Sequence, residues 1–235
     1  MPAEAARRIV IAGQEVGYAL RRSRRRTIGL SVDQRGLRVG APVQATVREI
    51  EALLQHHGNW VIDKLHAWRD RPTPKQLDAS HGATLSLLGK PLRLNIQTAP
   101  RAGWAFDDAE LQLRLPDGGD AERTLEAALR DHARHTLARQ LAHHAARLGV
   151  PTPPLRLSSA RTRWGSCNHR GGISLNWRLV FMPPDVVDYV VCHELAHLKE
   201  MNHSPRFWSV VETLCPAWRA LRQELARLSR EIPQP

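Results

Sequence analysis

"VVCHELAHLKEMNHSPRFW", Val190 to Trp208, places His193, Glu194, His197 and His203 within eleven residues. Histidines four apart on a helix sit one turn apart on the same face, so His193 and His197 can aim at one ion about 2.0–2.1 Å from each nitrogen. Glu194 follows His193 directly. It is rotated off the ligand axis, where it can hold a metal-activated water instead of the metal. His203 cannot join them on a continuous helix: ten residues at about 100° each leave it about 80° away from His193 and almost three turns further along. The chain must therefore break between His197 and His203, and the residues for a break are present. Asn202 tolerates a left-handed C-terminal conformation, Ser204 can cap a new helix, and Pro205 fits its first position. His203 is expected at that corner as a third ligand. Three protein ligands and an open fourth position are the pattern of a catalytic zinc, Zn2+. The competing reading is a charged helix with incidental histidines. If His203 is not the third ligand, Glu212 and Glu224 come next.

Upstream, Pro183-Pro184-Asp185 can open the helix that carries the motif. "LRLSSARTRWGSC" and "GGISLNWRLVFM" read as two strands around a turn at His169 to Gly172, after a break at "VPTPP". Before that break, Asp120 can cap a long helix running through Leu148, with Leu125, Leu129, Leu137 and Leu141 on one stripe and Gly149 as its stop. His132, His135, His143 and His144 on this helix have no acid or third ligand patterned with them and read as surface or packing residues. "TLSLLGKPLRLNIQ" and "ELQLRLPDGGD" alternate as strands do, and "RDRPTPKQ", residues 69–76, reads as a linker. A further helix begins at the capping box Thr46–Glu49. Its apolar positions are Ile50, Leu53, Leu54, Val61, Ile62 and Leu65, and Gly58 bends or interrupts it. "RRIVIAG" and "TIGLSVDQRGLRVGAP" read as strands, the second turning at Asp33 to Gly36. Between them "RRSRRR", Arg21 to Arg26, is either an anion-binding patch or a solvated hairpin end. No internal repeat is visible.

The 235 residues carry a net charge of +11 and are 42% hydrophobic but only 5% aromatic, so the core leans on aliphatic side chains. A basic surface suits nucleic acid, nucleotides or acidic partners. Cys167, Cys192 and Cys215 are odd in number and lack CxxC spacing, which argues against a disulfide framework or a cysteine zinc ribbon. The N-terminus has no apolar run of signal-peptide length, and no segment approaches the roughly 18 apolar residues of a membrane helix. A soluble cytoplasmic protein without a membrane partner is expected.

"RWGSC", "GGISLNWRLVFMPPDVVDYVVCHELAHLKEMNHSPRFW" and "CPAW" together resemble the YgjP-like metallopeptidase domain family, relatives of the SprT-like and WLM peptidases among the HExxH zincins. The resemblance is strong from about Arg161 to Trp218 and weaker across "RRSRRRTIGLSV", "VGAP" and "LLGKPLRLNI". It implies zinc on His193, His197 and His203, with Glu194 as general base. It also implies an α+β fold in which a strand at Ile173 to Val180 borders the active-site cleft. The histidine spacing equals that of metzincins, but Glu200 replaces their glycine and no methionine follows His203 to make a Met-turn.

The expectation is thus an α+β chain with a mostly antiparallel β region and a helix over residues 1–118, followed by a zincin-like domain over 119–235. Its expected activity is that of a zinc-dependent hydrolase, a metallopeptidase acting on peptide or protein. Tyr189, His169, Arg178 and Arg206 are candidates for the group that steadies the oxyanion. Trp164, Trp177, Trp208 and Trp218 read as core rather than cleft wall, and Cys167 and Cys192 as structural thiols. Two other functions fit the sequence: a metal-dependent hydrolase of nucleotide phosphoanhydrides, and a non-catalytic, zinc-stabilised nucleic-acid-binding module.

Overall fold

The computed structural model describes residues 5–33, 35–69 and 77–232. Residues 70–76 of the expected linker, and Gln34 in the expected turn, lie outside them. The chain forms two compact units, Met1–Thr73 and Pro74–Pro235.

In the first unit β1 (Ala5–Ile11) and β2 (Gln14–Ser23) form a hairpin, as do β3 (Gly29–Asp33) and β4 (Gly36–Pro42). The sheet order is β1-β2-β4-β3, so the inner pair β2–β4 runs parallel inside an otherwise antiparallel sheet. Ala12 (φ 49°) and Gly13 (φ 78°) make the first turn. Two consecutive positive φ values match the right-handed twist of the strands, which is why a glycine sits there. Tyr18, Leu20, Leu37, Val39 and Ala41 point inward against Ile50, Leu54 and Val61. These last three lie on α1 (Val47–His56) and α2 (Gly58–Arg69). The Thr46–Glu49 capping box forms in both directions, and the helix is interrupted just before Gly58, as expected. Within "RRSRRR", Arg22 donates to the carbonyls of Pro42, Val43 and Ala45, tying β2 to the entrance of α1.

The second unit opens on the same plan. β5 (Thr84–Leu87), β6 (Lys90–Thr98), β7 (Gly103–Phe106) and β8 (Glu110–Leu115) are ordered β5-β6-β8-β7, again with a parallel inner pair. Leu88 (φ 49°) and Gly89 (φ 76°) repeat the first turn. Asp107 accepts from the Ala109 amide as Asp33 does from that of Arg35. The Pro116 carbonyl accepts from Gly119 as that of Pro42 does from Ala45, and the helix caps Asp120 and Thr46 follow. A ββββα module is therefore present twice. The sequence hides it because the matched positions share burial and turn chemistry but few identities.

α3 (Ala121–Leu148) runs from its Asp120 cap to a left-handed Gly149. Its buried leucines join Leu92, Leu94, Leu111 and Leu113 of the sheet in one core. β5 to β8 thus belong with the C-terminal elements, and the units divide near residue 73, upstream of the 118/119 boundary read from the sequence. Beyond α3, β9 (Leu155–Ser158), β10 (Gly165–Cys167) and β11 (Ile173–Asn176) form a small sheet of order β10-β11-β9. The strand expected over Ile173 to Val180 stops at Asn176. Its side chain accepts from the Arg178 amide and turns the chain into a 3-10 turn, Trp177–Phe181. The helices α4 (Pro184–Ala196), α5 (Pro205–Leu214) and α6 (Trp218–Leu228) complete the α+β fold. Among the described residues no helix is long and apolar enough to cross a membrane.

Candidate metal centre

α4 is buried on most of its circumference, with Val186, Val187, Val190, Val191, Cys192, Leu195 and Ala196 in the core. Such packing holds the helix rigidly, so the direction of its last turn is well defined. Pro184 occupies the first turn and Asp185 follows it. His193 lies in the last turn and His197 is the C-cap residue (φ −64°, ψ −18°), so the helix ends on the second histidine. His197 Nδ1 lies 3.2 Å from the Glu200 carbonyl. That contact directs a proton to Nδ1 and leaves Nε2 free as a ligand atom.

The chain then turns the corner. Asn202 does not take the left-handed conformation expected of it, since the only non-glycine residues of positive φ among those described are Ala12 and Leu88. Its Oδ1 accepts from the Ser204 amide at 3.0 Å instead, so a side-chain turn breaks the helix. Ser204 caps α5 through the Phe207 amide, with Pro205 at the start of the helix, as expected.

His203 folds back as a result. One ring nitrogen from each of His193, His197 and His203 lies within 4.8 Å of the others. His203 Nε2 and His193 Nε2 are 3.1 Å apart. Tetrahedral ligands 2.0–2.1 Å from a zinc ion stand about 3.3 Å from one another, so this spacing suits such an ion. Phe207 lies beneath all three rings, at 4.9, 4.6 and 4.6 Å between centroids. Burial lowers the His193 pKa to about 4, helped by His197, His203 and Arg222. Burial lowers that of His197 as well. Both rings are therefore neutral near pH 7, the form that ligates a metal.

Glu194 is 6% exposed, and burial raises its pKa to about 7 against the opposing charge of Arg163. It lies against β10: a Cβ on Gly165 would collide with the Glu194 carboxyl group and Cγ. This explains the glycine of "RWGSC". Asn176 fixes the segment leading to it, its Nδ2 donating to the carbonyls of Ala160 (2.8 Å) and Arg163 (3.3 Å).

The family described as "YgjP-like, metallopeptidase domain" matches residues 26–228. The chain belongs to the YgjP-like metallopeptidase family. No individually curated protein matches it. Among solved structures, the crystal structure of the metallopeptidase zymogen of Pyrococcus abyssi abylysin is 25% identical. That match covers 41% of this chain and 98% of the other, with a TM-score of 0.37.

Other residues of this YgjP-like chain fall near the triad or away from it. Of the four oxyanion candidates, Tyr189 packs beside the triad, its ring 6.0 Å from that of His193. Arg178 turns instead onto Trp177, while His169 and Arg206 are exposed. Glu212 and Glu224 are engaged by Arg219 and Arg227. Trp177 and Trp218 are core, as expected; Trp208 is half-buried, stacks on Trp218 at 4.2 Å and stands 5.8 Å from both His193 and His203. It therefore also walls the site. All three cysteines are free. Burial raises the thiol pKa of each, that of Cys192 to about 12, which suits structural roles. Sequence reasoning missed Phe207 and Gly165. The "WGSC" glycine was the available signal for the second.

Proposed function

We propose that the chain is a zinc-dependent peptidase whose ligands are His193, His197 and His203 and whose general base is Glu194. The observation that carries this reading is the convergence of three imidazoles, two of them held neutral by burial, beside one buried carboxyl group. Zinc held there would supply Lewis acidity, lowering the pKa of a bound water to near 7 and polarising the scissile carbonyl. Glu194 accepts the proton of the attacking water on a carboxylate oxygen and returns it to the leaving amine. Its pKa near 7 suits both transfers, because a base must hold the proton and then release it. Gly165 gives the carboxylate room, and Phe207 and Trp208 keep water from the far side of the imidazoles. A purely structural zinc site has no use for a buried carboxylate next to its ligands, which disfavours the nucleic-acid-binding reading.

The test is Glu194→Gln. Gln is nearly isosteric and cannot take the proton. Zinc by elemental analysis should stay at about one per chain, while turnover of peptides falls by roughly 10²–10⁴-fold. Loss of zinc would make Glu194 a ligand or a scaffold. Full activity would refute the mechanism. Running nucleotides beside peptides in the same screen decides between peptidase and phosphoanhydride hydrolase.

A further inference from the structure

One largely buried arginine has no protein acceptor for its side chain among the described residues. Arg178, in the 3-10 turn, is 5% exposed. Its backbone amide donates to Asn176 at 3.1 Å, but among the described residues no hydrogen bond or ion pair engages its side chain. Its Cζ lies 4.5 Å from the centroid of the Trp177 ring. The indole therefore covers one face of the guanidinium, and the five N–H donors project from its edge. None of its nitrogens is both sealed from solvent and unpartnered, so that edge opens outward.

The surroundings add to the imbalance. Arg130 of α3 pairs with Glu126 at 3.0 Å and reaches Ser159 Oγ at 3.4 Å. That hydroxyl also accepts from Trp177 Nε1 at 3.2 Å, so Arg130, Ser159, Trp177 and Arg178 form one connected cluster. Arg161, two residues beyond Ser159, is exposed. After burial, the influences on Arg178 are attraction from Glu126 and repulsion from Arg130 and Arg161. Arg130 and Arg178 in this cluster, with Arg161 two residues beyond its Ser159, bring three guanidiniums to the neighbourhood of one carboxylate, and that carboxylate is already engaged. The local excess is two positive charges, and the empty donors are planar forks that match oxyanions.

We infer that Arg178, Arg130 and Arg161 form a binding site for a phosphate-type dianion, separate from the histidine centre and independent of what that centre does. Two sources share this chemistry: free inorganic phosphate and the phosphoryl group of a phosphoserine peptide. Both would be titrated calorimetrically into the full-length chain at fixed ionic strength, against chloride and the unphosphorylated peptide. The expected result is saturable binding at one site per chain. Stronger binding of the peptide assigns the site to a phosphorylated partner, and stronger binding of phosphate assigns it to the free ion.

Arg161→Ala removes an exposed side chain and should leave the fold intact while weakening binding about tenfold. Arg178→Lys, which keeps the charge and loses the fork, should weaken it as well. His203→Ala should leave it unchanged. The inference is overturned if phosphate and phosphopeptide give no saturable heat beyond their controls, if Arg161→Ala leaves binding as it was, or if His203→Ala abolishes it and so moves the anion to the histidines.

Discussion

Residues 5–42 and residues 84–115 fold into sheets of the same strand order, with the same turns and the same route into a capped helix. They part at the helix. α1 ends after 10 residues, enough to cover one face of its sheet. α3 runs for 28 residues, about 42 Å at 1.5 Å per residue, whereas the longest strand beneath it has nine, about 30 Å. The surplus turns of α3 reach α4, where His144 Nε2 lies 3.1 Å from Asp188 Oδ1, an ion-pair distance without hydrogen-bond geometry. The same module is thus used twice, and in the second unit its longer helix reaches the helix that carries His193.

This contrast can be broken by experiment. The largest effect should come from the triad. His203→Ala should reduce zinc to a small fraction of the wild-type content, because two imidazoles cannot hold the ion's geometry. Thr46→Ala, at the cap of the first module's helix, should cost about 1 kcal/mol of stability and leave zinc unchanged. Zinc lost from the Thr46 variant would mean that the first module supports the site after all.

Two strand glycines sharpen the comparison. Gly165→Ala sets a methyl group against Glu194, and overpacking of this kind typically costs 1–3 kcal/mol. Activity should fall at least tenfold with zinc retained. A Cβ on Gly17 in β2 meets only the Arg7 carbonyl at 3.9 Å, so Gly17→Ala should be silent in activity.

A smaller effect separates the groups of the site by pH. Metal-free protein is the material, and its melting temperature is the measurement. The folded-state pKa of Glu194 is raised to about 7, so its contribution to stability is full below the unfolded value near 4.5 and is lost as pH rises through about 7. That of His193 is lowered to about 4, so its contribution is full above the unfolded value near 6.5 and is lost as pH falls through about 4. Glu194→Gln should abolish the loss on the alkaline side and keep the loss on the acid side. An unchanged profile would show that Glu194 is solvated.

The smallest effect tests whether the modules are equivalent. Ala12 and Leu88 occupy matching turn positions at the same φ of 49°. Ala12→Gly should relieve left-handed strain and stabilise by roughly 0.5–1 kcal/mol, whereas Leu88→Gly also strips a side chain packed against the core and should give no gain. A calorimetric gain from Leu88→Gly as large as that from Ala12→Gly would show that the Leu88 side chain adds nothing to the core.

The sequence made the histidine constellation legible because helical periodicity is local. His193 and His197 are one turn apart by arithmetic, and Ser204-Pro205 announces a helix start. The caps Thr46, Asp120 and Gly149 were legible for the same reason. Other features depend on parts of the chain that no local pattern joins. Gly165 meets Glu194 across a sheet–helix packing that spacing cannot encode. Asn202 was read for its backbone tolerance, whereas its side chain makes the turn. The strand from Ile173 was read too long because its apolar run continues, while Asn176 ends it with a side-chain hydrogen bond. The repeated module escaped because it is conserved in burial and turn geometry and hardly at all in residue identity.

Phe207 has a consequence for how the protein would acquire its metal. The ring is fully buried beneath the three imidazoles and stands one helical turn after His203. Docking α5 onto the core therefore delivers the third histidine without an ion to pull it in. The metal-free chain should be a folded receptor, unlike zinc fingers, which fold only around their ion. A chelator would then empty the centre and leave circular dichroism unchanged, and returning zinc would restore activity at the speed of ion capture rather than of refolding. In a cell, such a protein could be made first and switched on later by metal supply.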